Sequence, residues 1–161
     1  DLMTNCRRAV RVLLDVGADV ELCGREDGFW GSWYQAEILN VAGMQAYVAI
    51  EELFEEGGAD DEDPRQRLRE WWPTKRIRPM PPPPPADFTL SIAVGDLVNL
   101  RYEGGWWDVE VTAINSSADG ACSYSVVYTP MDVHHTVSSD ALRPAWHWYK
   151  STWSTWHEHE R

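Results

Sequence analysis

Apolar and polar residues alternate along two stretches of the chain, and this alternation predicts β-strands in both. In the first stretch, Val20 and Leu22 alternate with acidic residues. Further strands are predicted there at 33–39, 45–53, 65–72 and 75–78, and in the second stretch at 97–102, 106–114, 124–128 and 134–137. Within 33–39, Ala36 and Ile38 share a face with Tyr34, which predicts that this face points inward. The pattern therefore indicates an all-β chain with two groups of short strands.

A phrase built on tryptophan occurs once in each group. Residues 17–39 and 95–111 share the order of glycine, strand, loop and tryptophan-containing strand. Each copy ends on a tripeptide of the same shape, Ile-Arg-Pro at 77–79 and Leu-Arg-Pro at 142–144. Because an internal repeat marks one structural unit used twice, we predict two similar β-modules in tandem.

The repeat divides the chain into five parts. They are a lead-in or short helix at 1–16, a first module at 17–80 with an acidic insertion at 51–63, a proline-rich linker at 81–87, a second module at 88–148 and a tail at 149–161. Five consecutive prolines favour polyproline II, so the linker is predicted to be a stiff spacer. The tail is expected to add a strand or to fold back on a module.

The net charge and the tryptophan content indicate which kinds of partner and site to expect. The 161 residues carry a net charge of -12, which disfavours the nucleic-acid phosphate backbone as the main partner and favours a basic one. Ten tryptophans exceed what packing requires, so some are predicted to lie in recognition sites. The three cysteines show no CxxC spacing, which predicts free thiols in a reducing compartment. No apolar run reaches the length of a membrane span.

Taken together, the motifs at 27–39, 77–82, 95–98, 105–107, 124–128 and 142–144 resemble the plant-type Agenet branch of the Tudor-like (Royal) superfamily. The resemblance covers roughly residues 17–148. It implies two small, strongly bent antiparallel barrels in tandem. It also implies a nuclear, monomeric chromatin reader that binds methylated lysine in a histone tail. Because one plant branch reads methylated lysine-9 of histone H3 in heterochromatin, H3 and a role in gene silencing are expected.

A methylated ammonium is a weakly hydrated cation that is attracted to the faces of aromatic rings. The resemblance implies that the aromatic residue at the position of Tyr34 lines such a cage, and its counterpart in the second module is Trp107. Tyr102 and Tyr128 lie at the ends of neighbouring predicted strands. The second module therefore offers a cage of three aromatic side chains.

The first module offers a different cage. Aligning Tyr47 with Tyr124 puts Glu51 at the position of Tyr128, and Leu22 or Cys23 at the position of Tyr102. A longer loop compensates with further aromatic residues, which gives a candidate cage of Phe29, Trp30 and Tyr34, with Glu51 or Glu52 as its acidic side. Since the first module of a pair commonly holds the cage in the plant H3-reading branch, both locations stay open.

Acidic side chains are predicted to hold the basic residues of the histone tail. The candidates are Glu51, Glu52, Glu55, Asp60 and Asp108. The run at 51–63 is alternatively a solvated loop, or it folds onto Arg65, Arg67 and Arg69 of the same chain.

No catalytic, metal or cofactor site is predicted. The sequence lacks a phosphate-binding glycine loop and a nucleophile elbow, and His134 and His135 point to opposite faces of a strand.

Two alternative functions remain. One is an adaptor that binds RNA or DNA through 65–69 and 75–78; the other is a tandem that docks a protein regardless of methylation. No membrane partner is expected.

Overall fold

The structure, a computed structural model, describes residues 14–54 and 66–155. Most of the predicted lead-in, most of the acidic insertion with Glu55 and Asp60, and the last six residues of the tail lie outside the described residues. The chain divides into two compact units. The first unit contains Trp33–Met80 and the residues up to Gly24, and the second contains Arg25–Ser32 and the chain from Pro81 onward.

The first unit is built on five antiparallel strands. They are β1 (Asp19–Gly24), β2 (Ser32–Ala42), β3 (Gln45–Phe54), β4 (Arg67–Pro73) and β5 (Ile77–Pro79). Their spatial order is β5-β1-β2-β3-β4. The strand predicted at 75–78 is wrong at its start, because Thr74–Arg76 form a 3₁₀ turn in which Ile77 N–H donates to the carbonyl of Thr74.

The second unit repeats this arrangement. Its strands are β6 (Leu97–Tyr102), β7 (Gly105–Ser116), β8 (Cys122–Tyr128), β9 (Val133–Val137) and β10 (Leu142–Pro144), in the order β10-β6-β7-β8-β9. A short helix, α1 (Phe88–Ser91), precedes them and was not predicted. The described part of the tail forms its own hairpin of β11 (Trp146–Tyr149) and β12 (Thr152–Thr155). The prediction of an all-β tandem is confirmed.

The repeat extends to individual hydrogen bonds. Gly17 N–H donates to the carbonyl of Ile38 at 2.7 Å, and Gly95 N–H donates to the carbonyl of Val111 at 2.8 Å. Both glycines have positive φ, 88° and 93°, a conformation that side chains with a Cβ rarely adopt. A β-bulge begins at Ile38 in β2 and at Val111 in β7. Because a bulge bends its strand, each five-stranded sheet curls toward a barrel.

Strand alternation sets the core of each unit. Tyr34, Ala36 and Ile38 are buried while Gln35 between them is exposed, which confirms the predicted inward face of β2. The core of the second unit is formed by the side chains of Ile92, Val98, Leu100, Val109, Val111, Tyr124, Val126, Tyr128 and Leu142. These apolar contacts hold the strands that carry the candidate site.

The arginine of each closing tripeptide is buried against a tryptophan. In the first unit, the Arg78 guanidinium lies 3.3 Å from the centre of the Trp33 ring and donates to Glu21 Oε1 at 2.8 and 3.0 Å. Arg78 and Glu21 are only 4% and 0% exposed. The Trp33 ring therefore has a structural role, since it covers a buried ion pair.

In the second unit, Asn99 holds the position that Glu21 holds in the first, and the carboxylate belongs to Asp108 on β7. Arg143 lies 4.5 Å from the Trp106 ring and donates to Asn99 Oδ1 at 3.2 Å. Asn99 in turn donates to Asp108 Oδ1 at 2.6 Å. An amide therefore links the arginine to a carboxylate, where the first unit uses a direct pair.

Candidate functional site

A cavity of about 270 Å³ lies in the second unit, and three of its lining residues are the predicted cage aromatics Tyr102, Trp107 and Tyr128. Leu100 and Val109 line its apolar floor, and both belong to the core of the unit. We call this space the aromatic cavity. The structure thus brings together the three aromatic residues that the second repeat offered.

Strand register explains why these rings meet. Leu100 is paired with Trp107, and Tyr102 with Gly105, so the side chains of Tyr102 and Trp107 lie on the inward face of the β6–β7 hairpin. The rings of Trp107 and Tyr128 are 5.2 Å apart and nearly perpendicular, at 83°. Trp107 Nε1–H donates to the carbonyl of Tyr102 at 3.0 Å, which fixes the indole against the hairpin.

Segment 25–32 is part of the same unit and supplies two more predicted residues. Phe29 stacks on Trp107 with ring centres 6.1 Å apart and planes 28° apart. Tyr128 O–H donates to the carbonyl of Trp30 at 2.5 Å. Phe29 and Trp30 are 42% and 54% exposed. Phe29 therefore braces the Trp107 ring of the cage, while more than half of the Trp30 side chain is exposed.

We expect Tyr128→Phe to loosen segment 25–32 while keeping the aromatic ring in the cavity. The substitution removes the donor to Trp30, and a lost hydrogen bond of this kind costs about 1 kcal/mol. Hydrogen exchange of the amides in 25–32 should accelerate roughly fivefold. Tyr124→Phe is the matched control, because its hydroxyl donates to Thr89 instead and its loss should leave 25–32 unchanged. Unchanged exchange in Tyr128→Phe would contradict the bracing role.

Two carboxylates give the aromatic cavity a negative potential. Glu103 lines it, and a hydrogen bond to Glu103, together with that carboxylate's charge, raises the pKa of Tyr102. Asp108 does not line the cavity, but after burial its charge is the second cause that raises the pKa of Tyr128. Asp108 is held by Asn99 and its N–H donates to the carbonyl of Gly31 at 2.7 Å.

Of the lining residues that were not predicted as site residues, two have ionisable side chains, Glu103 and His135. The signal for Glu103 was the Glu-Gly-Gly sequence after Tyr102, which indicates a tight hairpin turn; Glu103 and Gly104 both have positive φ, 45° and 77°. The signal for His135 was alternation in β9, which places its side chain on the same face as Val133 and Val137. His134 points the other way and contacts Asp132 at 2.9 Å, as the alternation predicted.

The first unit lacks most of this cage. When the two units are aligned by the pairing of their strands, Gly24 corresponds to Tyr102, Tyr34 to Trp107 and Ile50 to Tyr128. The alignment of Tyr47 with Tyr124 was wrong by one residue, because strand pairing makes Ala46 the counterpart of Tyr124. A one-residue shift turns a side chain to the other face, and Tyr47 is accordingly half-buried against Trp71, 5.3 Å away.

The remaining predicted residues lie in the first unit. Tyr34 is buried in its core at 6% exposure, whereas Phe29 and Trp30 belong to the second unit. Glu51 accepts a hydrogen bond from Arg67 at 2.5 Å, and Arg67 also contacts Glu37 at 3.0 Å. Glu52 is exposed. The alternative in which the acidic stretch folds onto arginines of the same chain therefore holds for Glu51.

Within residues 14–54 and 66–155, no three histidine, cysteine or acidic side chains are grouped closely enough to hold a metal ion. No helix in the same ranges is long and apolar enough to cross a membrane.

Comparisons with known proteins agree on one family. Residues 17–82 match the family model of the Agenet domain. The chain is 33% identical over 108 residues to the protein AGENET DOMAIN (AGD)-CONTAINING P1 of Arabidopsis thaliana. That match covers 66% of this chain but only 19% of the relative's length.

Solved structures extend the likeness to nearly the whole chain. The crystal structure of AGD34 of Arabidopsis thaliana AGDP1 superposes with a TM-score of 0.77 at 26% identity, covering 96% of this chain and 97% of that one. Tandem Agenet domain 3-4 of ADCP1 superposes with a TM-score of 0.73 at 23% identity, covering 96% of both chains. The chain therefore belongs to the Agenet domain family, as a tandem of two Tudor-like Agenet domains.

Proposed function

We propose that this tandem is a nuclear chromatin reader and that its second unit binds a methylated lysine of the histone H3 tail, with lysine-9 favoured. One observation carries the proposal: Tyr102, Trp107, Tyr128 and the carboxylate of Glu103 line a single cavity. The matching positions in the first unit hold Gly24, Tyr34 and Ile50, so the first unit offers one aromatic ring where the second offers three. The proposed role is binding, without catalysis.

The energetics of such a cavity favour a methylated ammonium. Each good contact between a cation and an aromatic face contributes about 0.5–2 kcal/mol, and methylation weakens the hydration that an unmodified ammonium must give up. Glu103 adds an acceptor for the remaining N–H of a dimethyl-lysine. A net charge of -12 also attracts the basic tail before contact and raises the association rate.

The contacts of three arginines in the basic stretches argue against the alternative that the chain binds nucleic acid. Arg67 is paired with two glutamates, and Arg78 is buried with Glu21. Arg76 donates to the carbonyl of Cys23 at 2.9 Å and lies over Trp72. Since these guanidinium groups are held within the first unit, they are poorly placed to neutralise phosphates.

Calorimetric titration with H3 tail peptides tests the proposal. Peptides unmodified and mono-, di- and trimethylated at lysine-9 should be compared with the same series at lysine-4. We expect the dimethyl or trimethyl lysine-9 peptide to bind at least about tenfold more tightly than the unmodified one, since one added cation–aromatic contact suffices for that factor.

Two results would contradict the proposal in different ways. Equal affinity for all peptides would mean that charge alone holds the tail, and the tandem would then be a docking module indifferent to methylation. Absence of binding to every peptide, with the fold intact by circular dichroism, would remove the H3 tail as partner.

A further inference from the structure

A histidine, His135, forms part of the same cavity. His135 lies on β9, paired with the buried Val126 of β8, so its ring points inward. Its centre is 4.7 Å from that of Tyr102, with the planes 51° apart, and His135 lines the aromatic cavity. Tyr102 is the most exposed of the three cage aromatics, at 42%, so the imidazole is its lateral support.

We infer that His135 is a fourth ring of the cage, which supports Tyr102 against a methylammonium ligand when neutral and opposes that ligand when protonated. The inference rests on the proposed function, because it concerns the same cavity. It adds a condition that the proposed function does not contain: affinity for the methylated ammonium falls as the pH falls through the range in which histidine titrates.

The groups around His135 determine the sign of this effect. From β6 and the turn after it, the phenol of Tyr102 and the carboxylate of Glu103 share the cavity with it. From β7 and β8, it faces the uncharged rings of Trp107 and Tyr128, and Met131 lines the cavity from the turn after β8. On its own strand, His134 points to the opposite face and pairs with Asp132. Glu103 is thus the one charged side chain that lines the cavity with His135 among the described residues.

Protonation acts on the ligand in two ways. It places a positive charge in the cavity that receives the methylammonium, and it gives Glu103 a competing cation to pair with. Bound ligand therefore favours the neutral imidazole. By linkage, affinity is highest where the imidazole is neutral, and it falls as the pH is lowered and the imidazole takes up a proton.

The test is titration of a histidine-free trimethyl-lysine peptide at about pH 7.5 and about pH 5.5, on either side of the ordinary histidine pKa. We expect about fivefold weaker binding at the lower pH, because protonated imidazole opposes the bound cation. In His135→Phe, which keeps a ring beside Tyr102, the ratio between the two pH values should fall close to one. His134→Phe is the matched control and should keep the full ratio, since His134 lies outside the cavity.

Proton NMR of the His135 ring gives a readout that is independent of affinity. At about pH 5.5, its signals should move toward those of the neutral imidazole when the peptide is added. Tight binding that is equal at both pH values, with no change in the His135 ring signals, would overturn the inference and leave the proposed function standing. Absence of peptide binding at both pH values would instead overturn the proposed function, and the inference with it.

Discussion

Trp107→Ala is expected to eliminate most of the affinity for a methylated lysine peptide. Trp107 is the ring that touches Tyr128, stacks on Phe29 and is fixed by its hydrogen bond to Tyr102. Truncating an aromatic residue at the centre of a binding site typically costs about 2 kcal/mol or more, which is a factor of roughly 30 in Kd. Calorimetry with the trimethyl lysine-9 peptide measures the loss directly.

Two variants separate the electrostatic contribution from packing. Trp107→Leu keeps an apolar side chain but removes the aromatic face, and it should lose nearly as much affinity as the alanine variant. Trp107→Phe keeps a smaller face, so its loss should be intermediate. If the leucine variant binds as well as the phenylalanine variant, the cavity recognises apolar surface and not a cation.

A matched control comes from the first unit. Trp71 is a more exposed tryptophan, at 47%, whose ring lies 5.3 Å from that of Tyr47. Trp71→Ala should leave the affinity for the peptide unchanged if the working cage is in the second unit. Loss of binding in Trp71→Ala with retention in Trp107→Ala would reverse that assignment.

Arg78→Ala is expected to destabilise the first unit more than any substitution on its surface. Arg78 is 4% exposed and its removal leaves the carboxylate of Glu21, fully buried, without its guanidinium partner. Breaking a buried pair from one side costs about 3–5 kcal/mol, and the Trp33 ring loses its cation as well. Urea unfolding followed by NMR should show the Val20 and Leu22 amide signals lost at much lower urea than those of the second unit.

Arg67→Ala is the matched control for charge. It also removes an arginine that pairs with glutamate, but the Arg67 side chain is 31% exposed. Half-exposed pairs of this kind are worth about 0–1 kcal/mol, so the urea midpoint of the first unit should hardly move. If Arg78→Ala does not fold at all, Arg78→Lys keeps the charge and loses the planar contact with Trp33. Equal midpoints for Arg78→Lys and the unmodified protein would show that the planar geometry contributes nothing.

Local sequence pattern was enough to predict the strands, the repeat and the inward faces. Tyr34, Ala36 and Ile38 were assigned to the core because strand side chains alternate, and no distant contact is needed for that inference. The paired phrases also identified the tandem, because each copy carries the tryptophan and the arginine that pack on one another. The aromatic residues of the cage in the second unit were named from the resemblance to Tudor-like domains together with their places at strand ends.

Register and turn geometry decided what the pattern left open. Strand pairing sets Ile50 where the sequence alignment had put Glu51, because matching Tyr47 to Tyr124 by residue type shifted β3 by one residue, and residue type alone does not fix register. Glu103 reaches the cavity from a turn with positive φ, which lies outside any alternating strand.

Long-range contacts settled the rest. Segment 25–32 contacts the rest of the second unit through Tyr128, which is 98 residues from Trp30, and no local pattern encodes a pairing over that distance. The sequence by itself thus determined the all-β tandem, the core faces and the aromatic residues available for a cage. Only the tertiary structure decided which of those residues share one cavity, because convergence depends on register and turns and not on the period of the strands.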